Sequence, residues 1–332
     1  MIEHRKEGEG SMRLALRAIA FAWALCAGHP LAAQTFPQEP VRLLVPVPAG
    51  GVTDLMARLL AQGLSEIWGQ SVMVENRPGG NHGVAAQATA RARPDGHVMM
   101  VVADTTFTAN PSLSPKLTYR VDEFTPIALL SRATPMFVIN ATVPATSIPS
   151  FIAYAKANPG KLNYGSYGIG TYAHLGMEDF KARTGTELVH VPYPGAAPAL
   201  EGLLRGDISA LLLNLSSIEQ HESGGKLRIL AAAGKRRAAS RPELATVDEQ
   251  GVSGFETSNW FGLFGPAGMP PALVDKIQQD VRRVLASPRV VEMFAKNSFE
   301  AQAITSAQFA QVIAKDADYW RKIIQRLGLR LD

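Results

Sequence analysis

The sequence is poor in cysteine: its 332 residues include only one, Cys26. A single cysteine cannot form an intrachain disulfide, and it excludes any metal site built from several cysteines. Aromatic residues are 7% and charged residues 19% of the chain, while a hydrophobic fraction of 46% excludes a disordered or collagen-like protein. The formal net charge is only +4, and apart from Lys235–Arg237 the basic residues are dispersed. Nucleic acid is therefore not an expected partner.

Motifs of common enzyme classes are missing as well. The sequence has no G-x-S-x-G elbow, no H-E-x-x-H zinc motif and no P-loop lysine motif. The segment Gly168–Ala173 fits the dinucleotide pattern G-x-G-x-x-A, but its acidic candidate, Glu187, precedes the next strand instead of closing it. His190 lies inside an apolar strand and is better explained as a core residue than as a base. The sequence predicts no enzyme, no catalytic residue, no metal and no cofactor.

The N-terminal region has the layout of an export signal. Basic residues precede a short apolar run at 18–27, and small residues precede Gln34. The run is too short for a membrane span, which needs about 20 apolar residues. We expect a cleaved signal peptide over residues 1–33, with the initiating residue, Met1 or Met12, left open. The remaining chain would contain no cysteine, which suits an oxidising compartment.

After the signal, β-type runs alternate with segments of helical periodicity. The first unit has a strand at Val41–Val45, a Gly/Pro turn over 46–51, and apolar residues at helical spacing over 56–67. Similar units follow, and the segment 271–327 is mostly helical in pattern. This alternation predicts an α/β fold of two lobes, each a mostly parallel sheet flanked by helices. The chain length agrees with roughly two domains.

Three strand-to-helix turns share glycine and small polar residues, namely 48–54, 166–172 and 192–197. Glycine leaves the start of the next helix bare, and the first N–H groups of a helix have no internal partner. A bare helix start therefore attracts an anion without needing arginine or lysine. Such turns at the carboxyl ends of strands predict a carboxylate site. The donors expected to hold one carboxylate are the N–H groups of Gly50, Gly51 and Gly170 and the hydroxyls of Thr53 and Thr171.

Motifs along the chain resemble those of one family. The segment 40–54, followed by Val74-Glu-Asn-Arg-Pro-Gly-Gly80, closely resembles the tripartite tricarboxylate transporter substrate-binding proteins, also called the Bug family. The set of motifs covers essentially the whole chain after residue 33 and keeps the family's order. Further matching motifs are Pro94–Gly96, Asn110–Leu113, Pro159–Tyr164, His190–Tyr193, Gly195–Pro198, Trp260–Leu263 and Pro266–Gly268.

The resemblance implies a periplasmic binding protein that holds a small carboxylate between two α/β lobes, and we expect this protein to be a monomer. The resemblance also implies that the ligand is delivered to a membrane permease of the tripartite tricarboxylate type. Lobe 1 would comprise residues 34–135 and 260–332, and lobe 2 residues 136–259. The ligand-binding residues that the resemblance implies are Ala49, Gly50, Gly51, Val52, Thr53 and Thr105 in lobe 1, and Ser166, Ile169, Gly170, Thr171, Tyr172, His174, Tyr193, Gly195 and Ala196 in lobe 2.

Some residues depart from the family pattern. Val52 and Ile169 stand where the family often has polar residues, and Tyr172 and Phe107 add aromatic surface near the expected cleft. Since apolar groups penalise hydrated ligand groups, we expect an aromatic or apolar organic acid as the ligand. Asp54 is expected to be a first-turn acid that matches the helix dipole.

Two other functions stay open, a receptor that presents its ligand to a membrane sensor kinase and an exported enzyme with an unrecognised site.

Overall fold

The computed structural model describes residues 36–222, 224–257, 259–296 and 299–331. The expected signal peptide, residues 1–33, lies outside the described residues. From Glu39 onward the chain belongs to one unit of mutual contacts. None of the helices within the described ranges is long and apolar enough to cross a membrane.

The described strands form two sheets. The first has the strand order β11-β4-β10-β3-β1-β2, and the second has the order β7-β6-β8-β5-β9. The strands of the first sheet come from two separated parts of the chain, which enclose the part that forms the second sheet. The strands are β1 Val41–Val45, β2 Val72–Asn76, β3 Val98–Ala103, β4 Phe124–Ala133, β5 Pro135–Asn140, β6 Asn163–Ser166, β7 Val189–Pro192, β8 Ala210–Asn214, β9 Leu227–Ala232, β10 Asn259–Pro266 and β11 Phe299–Ala301.

Both sheets are mixed. In the first sheet β1 pairs in parallel with β2 and β3, whereas β10 is antiparallel to β3 and β4, and β11 is antiparallel to β4. In the second, β6 is parallel to β7 and β8, whereas β5 is antiparallel to β8 and β9. The two-lobed α/β class is confirmed, but parallel pairing is limited to the strands joined by helical crossovers. Strand β4 passes almost directly into β5, and the antiparallel pairs made by β4, β5 and β10 do not need a helical crossover.

Helices cover the sheets. The first, Val52–Trp68, buries its apolar stripe, including Met56, Leu60 and Leu64, against the first sheet. It ends at Gly69, whose left-handed φ of 65° suits glycine. The helices are α1 Val52–Trp68, α2 Gly83–Ala90, α3 Thr105–Thr108, α4 Asn110–Leu113, α5 Ile148–Ala157, α6 Tyr172–Thr184, α7 Ala196–Arg205, α8 Glu219–Glu222, α9 Pro271–Leu285, α10 Pro288–Lys296 and α11 Ser306–Leu327.

Each sheet has its own aromatic core. In the first sheet Phe107, Phe124, Trp260 and Phe264 are buried together. Phe107 is only 1% exposed, and its ring centroid lies 4.4 Å from that of Phe264. The expectation that Phe107 contributes aromatic surface to the cleft is therefore wrong. Phe107 packs inward from the short helix α3, because α3 lies directly on this core.

The C-terminal helix α11 joins the two halves of the molecule. Its Trp320 and Ile324 pack in one cluster with Leu113 of α4, which belongs with the first sheet, and Leu175 of α6, which belongs with the second. The contact places the end of α4 beside the start of α6. It therefore brings the turn after β3 close to the turn after β6.

Candidate functional site

The turn between β1 and α1 is built around the buried carboxylate of Asp54. Its Oδ2 accepts hydrogen bonds from the Gly50 N–H at 3.0 Å and from Arg58 Nε at 2.9 Å. Its Oδ1 accepts one from Asn76 Nδ2 at 3.0 Å, and the same amide nitrogen donates to the Val47 carbonyl. Burial acts to raise the pKa of Asp54, but the hydrogen bonds from Arg58, Gly50 and Asn76 outweigh it and lower that pKa. Asp54 is thus a structural residue of the turn.

The same turn leaves the start of α1 bare. Helix α1 begins at Val52, and its N-cap residue, Gly51, supplies no side-chain hydrogen bond. The N–H groups of Val52 and Thr53 therefore have no partner within the helix. A Cβ atom placed on Gly50 or Gly51 would meet no atom within 4 Å, so the space before these residues is open. Ala49 is exposed on the same turn. The Gly50 N–H, expected to hold the ligand, is already bonded to the carboxylate that builds the turn.

The turn after β6 is supported by a chain of polar contacts. Ser166 Oγ lies 2.7 Å from His190 Nε2, and the rings of His190 and His174 lie 4.4 Å apart. His174 Nδ1 accepts a hydrogen bond from the Gly170 N–H at 3.2 Å, which assigns the ring proton to Nε2. Burial, followed by the neighbouring His190, lowers the pKa of His174 to about 4. A neutral histidine therefore holds this turn.

Two donors expected on this turn are engaged within it. The Gly170 N–H is bonded to His174, and the Thr171 hydroxyl donates to the Gly168 carbonyl at 2.7 Å. Thr171 is the N-cap residue of α6, yet its side chain does not cap the helix. The backbone N–H groups of Tyr172 and Ala173 are left without a partner in the helix. Helix α6 therefore begins without a side-chain cap, and the N–H groups left without a helical acceptor belong to Tyr172 and Ala173 and not to the predicted donors Gly170 and Thr171.

Gly170 also lies where the two halves of the chain meet. Its φ of +84° is in the left-handed region, and a Cβ atom there would lie 2.9 Å from Leu113 Cδ1. Leu113 belongs to α4, which follows the turn after β3. Both the backbone conformation and the close approach require glycine at this position.

The other expected residues of this turn differ in exposure. Ile169 is 51% exposed at the tip of the turn. Tyr172 is buried, and its hydroxyl donates to Asn214 Oδ1 at 3.2 Å. Its ring lies 5.4 Å from that of Tyr167, which sequence reasoning did not select. Only Ile169 therefore offers a large apolar surface at the tip.

The third predicted turn, before α7, is attached to the second. The Tyr193 N–H donates to the Ser166 carbonyl at 2.8 Å. The Tyr193 ring covers Gly202 of α7, where a Cβ atom would come within 2.3 Å of the phenol oxygen. Gly195 has an extended φ of 174°, which does not require glycine, and Ala196 is exposed at the helix start. The backbone of Tyr193 thus lies beside the second turn, while its ring packs on α7.

Sequence reasoning selected Thr105 on the turn after β3 but missed two of its neighbours. Thr105 is 7% exposed and begins α3 directly after Asp104, whose Oδ1 is buried without a hydrogen-bond partner among the described residues. Thr106 Oγ1 lies 2.8 Å from His82 Nδ1, and burial lowers the pKa of His82 to about 4. An acid placed immediately after the apolar strand β3 was the available sequence signal for Asp104.

The arrangement fits binding better than catalysis. Ser166 and His190 do form a serine–histidine hydrogen bond, but Ser166 is fully buried and its hydroxyl also lies 3.3 Å from the Gly168 carbonyl. The pair therefore supports the turn. Within the described ranges, no three histidine, cysteine or acidic side chains group as a metal site. What the turns present outward is backbone N–H groups at helix starts.

Comparison with known proteins agrees with this geometry. Residues 56–329 match the family described as "Tripartite tricarboxylate transporter family receptor". The protein BugT of Bordetella pertussis is 32% identical over 91% of this chain and 93% of its own length. Rpa4515 of R. palustris, solved with adipate, has a TM-score of 0.81 and 30% identity over 89% of this chain and 99% of its own.

A further solved structure is MatC from Rhodopseudomonas palustris with bound malate. It has a TM-score of 0.77 and 28% identity, covering 87% of this chain and 100% of its own. The family and these structural neighbours are solute-binding receptors and not enzymes. The motif resemblance is thereby confirmed: this chain belongs to the tripartite tricarboxylate transporter receptor family, the Bug family of substrate-binding proteins.

Proposed function

We propose that this protein is an exported receptor that captures a small carboxylate between its two lobes and delivers it to a tripartite tricarboxylate-type permease. The observation that supports this proposal most directly is that α1 starts without a side-chain cap. Gly51 supplies no cap, the N–H groups of Val52 and Thr53 are free of helical partners, and the space before Gly50 is open. Backbone N–H groups and the helix dipole together favour an anion at such a place.

The relatives support a carboxylate in particular. The solved neighbours contain adipate and malate, which both carry two carboxylate groups. A carboxylate held by several N–H groups shares its charge among them and needs no arginine. The start of α6, where Tyr172 and Ala173 have no helical acceptor, supplies a second set of donors from the other sheet.

The proposed cleft lies between lobe 1, residues 34–135 and 260–332, and lobe 2, residues 136–259. The division is supported by the sheets, because the second sheet is formed entirely within 135–232. Removal of the signal at residues 1–33 would release the mature chain into the periplasm, where we propose that it acts as a monomer.

The exposed apolar side chains favour a ligand with an aliphatic body. Ile169 is 51% exposed at the tip of the second turn, and Val52 is partly exposed at the first. A hydroxylated ligand body would lose hydration beside these side chains without gaining a hydrogen bond. Because the Tyr172 ring is buried and Phe107 lies in the core, an aliphatic acid fits this surface better than an aromatic one.

A charge placed at the helix start tests the proposal. Gly51 has φ −84° and ψ 172°, which any residue can adopt, so Gly51→Asp should cap α1 without strain. The new carboxylate would occupy the N–H groups and repel the ligand. In calorimetric titrations with adipate, malate and shorter aliphatic acids, we expect at least a tenfold loss of affinity with an unchanged or higher melting temperature.

The matched control is Ala272→Asp, which adds the same charge at an exposed position in the first turn of α9. It should leave carboxylate affinity unchanged. If Gly51→Asp bound carboxylates as well as the unmodified protein, the start of α1 would not be the carboxylate site.

A further inference from the structure

The chain changes direction where the C-terminal helix α11 ends. Gly328 follows the helix with a left-handed φ of +62°, and the Leu329 N–H then donates to the Ile324 carbonyl at 3.1 Å. A left-handed glycine followed by such a backward hydrogen bond is typical of a chain that reverses at a helix end. Residues 329–331 therefore leave the axis of α11 instead of continuing along it.

Leu331 contacts an element that belongs with each sheet. Its N–H donates to the carbonyl of Leu113 at 2.8 Å, and Leu113 ends α4, which belongs with the first sheet. Its Cδ1 lies 3.5 Å from the position of a Cβ atom on Gly170, which belongs to the turn after β6 in the second sheet. Leu331 therefore lies where the end of α4 meets the turn that leads into α6.

The start of α6 packs on the same apolar cluster. Leu175, in the first turn of α6, is fully buried in this cluster, and the half-buried Leu331 packs against it. The N–H groups of Tyr172 and Ala173, the proposed second set of donors, lie in the same helical turn as Leu175. A shift of this helix start relative to the cluster would therefore move the donors.

A polar contact joins α6 and α11 further along the two helices. The carboxylate of Asp179 on α6 is buried, accepts a hydrogen bond from the Tyr319 hydroxyl at 3.3 Å and forms an ion pair with Arg326 of α11. Removing the partners of a buried carboxylate costs more free energy than separating one half-buried leucine. The contact of Leu331 is therefore the part of this interface that a bound ligand can strengthen or release.

We propose that Leu331 is a positioning residue of the ligand site. It holds the end of α4 against the Gly170 turn, so that the N–H groups at the start of α6 face the ligand. The inference rests on the proposed function, because it concerns the second set of donors to the ligand. A ligand that bridges the starts of α1 and α6 keeps these elements in the arrangement in which Leu331 makes both of its contacts. Binding and the Leu331 contact therefore stabilise each other, and the coupling is reciprocal.

Substitution of Leu331 tests the effect on the ligand. The variant Leu331→Asn removes the apolar contact and keeps the backbone. For the tightest-binding of adipate, malate and succinate, we expect its affinity to fall at least fivefold. Stopped-flow kinetics should assign the loss to faster dissociation, with the association rate unchanged within a factor of two, because the contact acts once both helix starts are engaged. The conservative variant Leu331→Met keeps the apolar volume and should restore the affinity.

The matched control is Leu329→Asn in the same segment. Leu329 packs against the same cluster, but the atoms nearest to the Cβ position of Gly170 belong to Leu113, Leu331 and Asn110. The control should therefore lose stability without losing affinity. A melting curve of each variant checks that it is folded.

Amide hydrogen exchange in the unmodified protein tests the reciprocal effect without any variant. The Leu331 N–H is bonded to the Leu113 carbonyl, whereas the Leu329 N–H is bonded to Ile324 of α11. The saturating acid should slow the exchange of the Leu331 N–H at least fivefold more than that of the Leu329 N–H. The Leu329 N–H reports any general gain in stability.

Three results would overturn the inference. Equal affinities of Leu331→Asn and Leu329→Asn would reduce the segment to ordinary packing, and the proposed function would stand. Equal protection of the two N–H groups by the bound acid would show that the Leu331 contact is not coupled to the ligand, again leaving the proposed function intact. If none of the three acids bound the unmodified protein, the proposed function would fail together with the inference.

Discussion

Removing the Asp54 carboxylate should loosen the first ligand turn. In Asp54→Ala, the Gly50 N–H and the Asn76 amide lose acceptors at 3.0 Å each. A lost hydrogen bond in a partly buried place costs about 1 kcal/mol, so these two amount to about 2 kcal/mol. Arg58 is 55% exposed and regains water when its partner is removed, so its ion pair adds little.

The assay is a thermal melt at neutral pH combined with a carboxylate titration. For a chain of this size about 2 kcal/mol lowers the melting temperature by roughly 5 °C. The affinity for the carboxylate should fall as well, because the bare N–H groups of α1 follow the loosened turn. Asp275→Ala, the exposed acid near the start of α9, should change neither quantity. If Asp54→Ala melted and bound like that control, the carboxylate would not be what shapes the turn.

Three other predictions concern the second lobe. Gly170→Ala should destabilise the protein by about 1 kcal/mol more than Gly185→Ala, because both have left-handed φ but only Gly170 faces Leu113; equal melting temperatures would contradict the close contact. The pKa of His174 is lowered from 6.5 to about 4, so the unfolded chain takes up the proton first and stability should fall as pH drops from 6.5 towards 4. The variant His174→Gln should flatten this pH dependence of stability. An unchanged slope would show that His174 does not cause it. Asp179→Asn weakens the hydrogen bonds from Arg183 and Tyr319 and the ion pair with Arg326. It should lower the free energy of unfolding, measured by chemical denaturation, by about 2 kcal/mol. An unchanged free energy of unfolding would show that α6 and α11 hold together without this carboxylate.

Periodicity predicted the strand–turn–helix units well, because each unit buries one face along a regular pattern. The bounds of β1, α7 and α11 agree closely with the apolar periodicity of the sequence. Strands β4 and β5 were not predicted, since Phe124–Asn140 is one largely apolar stretch in which little punctuation marks the passage between sheets. Since these strands form antiparallel pairs, missing them also led to the expectation of mostly parallel sheets.

The candidate site was predicted in part. Glycine turns at the carboxyl ends of strands can be read from the sequence, and the structure shows bare helix starts at Gly51 and Thr171. The engagement of individual donors was missed although their partners are local: the Gly50 N–H is bonded to Asp54 and the Gly170 N–H to His174, each four residues later, and the spacing alone does not show that these side chains fold back onto the turn. Asp104 was missed because its burial depends on a distant strand: its N–H donates to the Trp260 carbonyl of β10, and the side chain is only 2% exposed.

A structure of the complex with the tightest-binding aliphatic acid tests the location of the site most directly. We expect one carboxylate of the ligand within hydrogen-bond distance of the Val52 and Thr53 N–H groups, with the ligand body between the turns after β1 and β6. A ligand bound to a surface of one lobe, with water alone at the start of α1, would contradict this expectation.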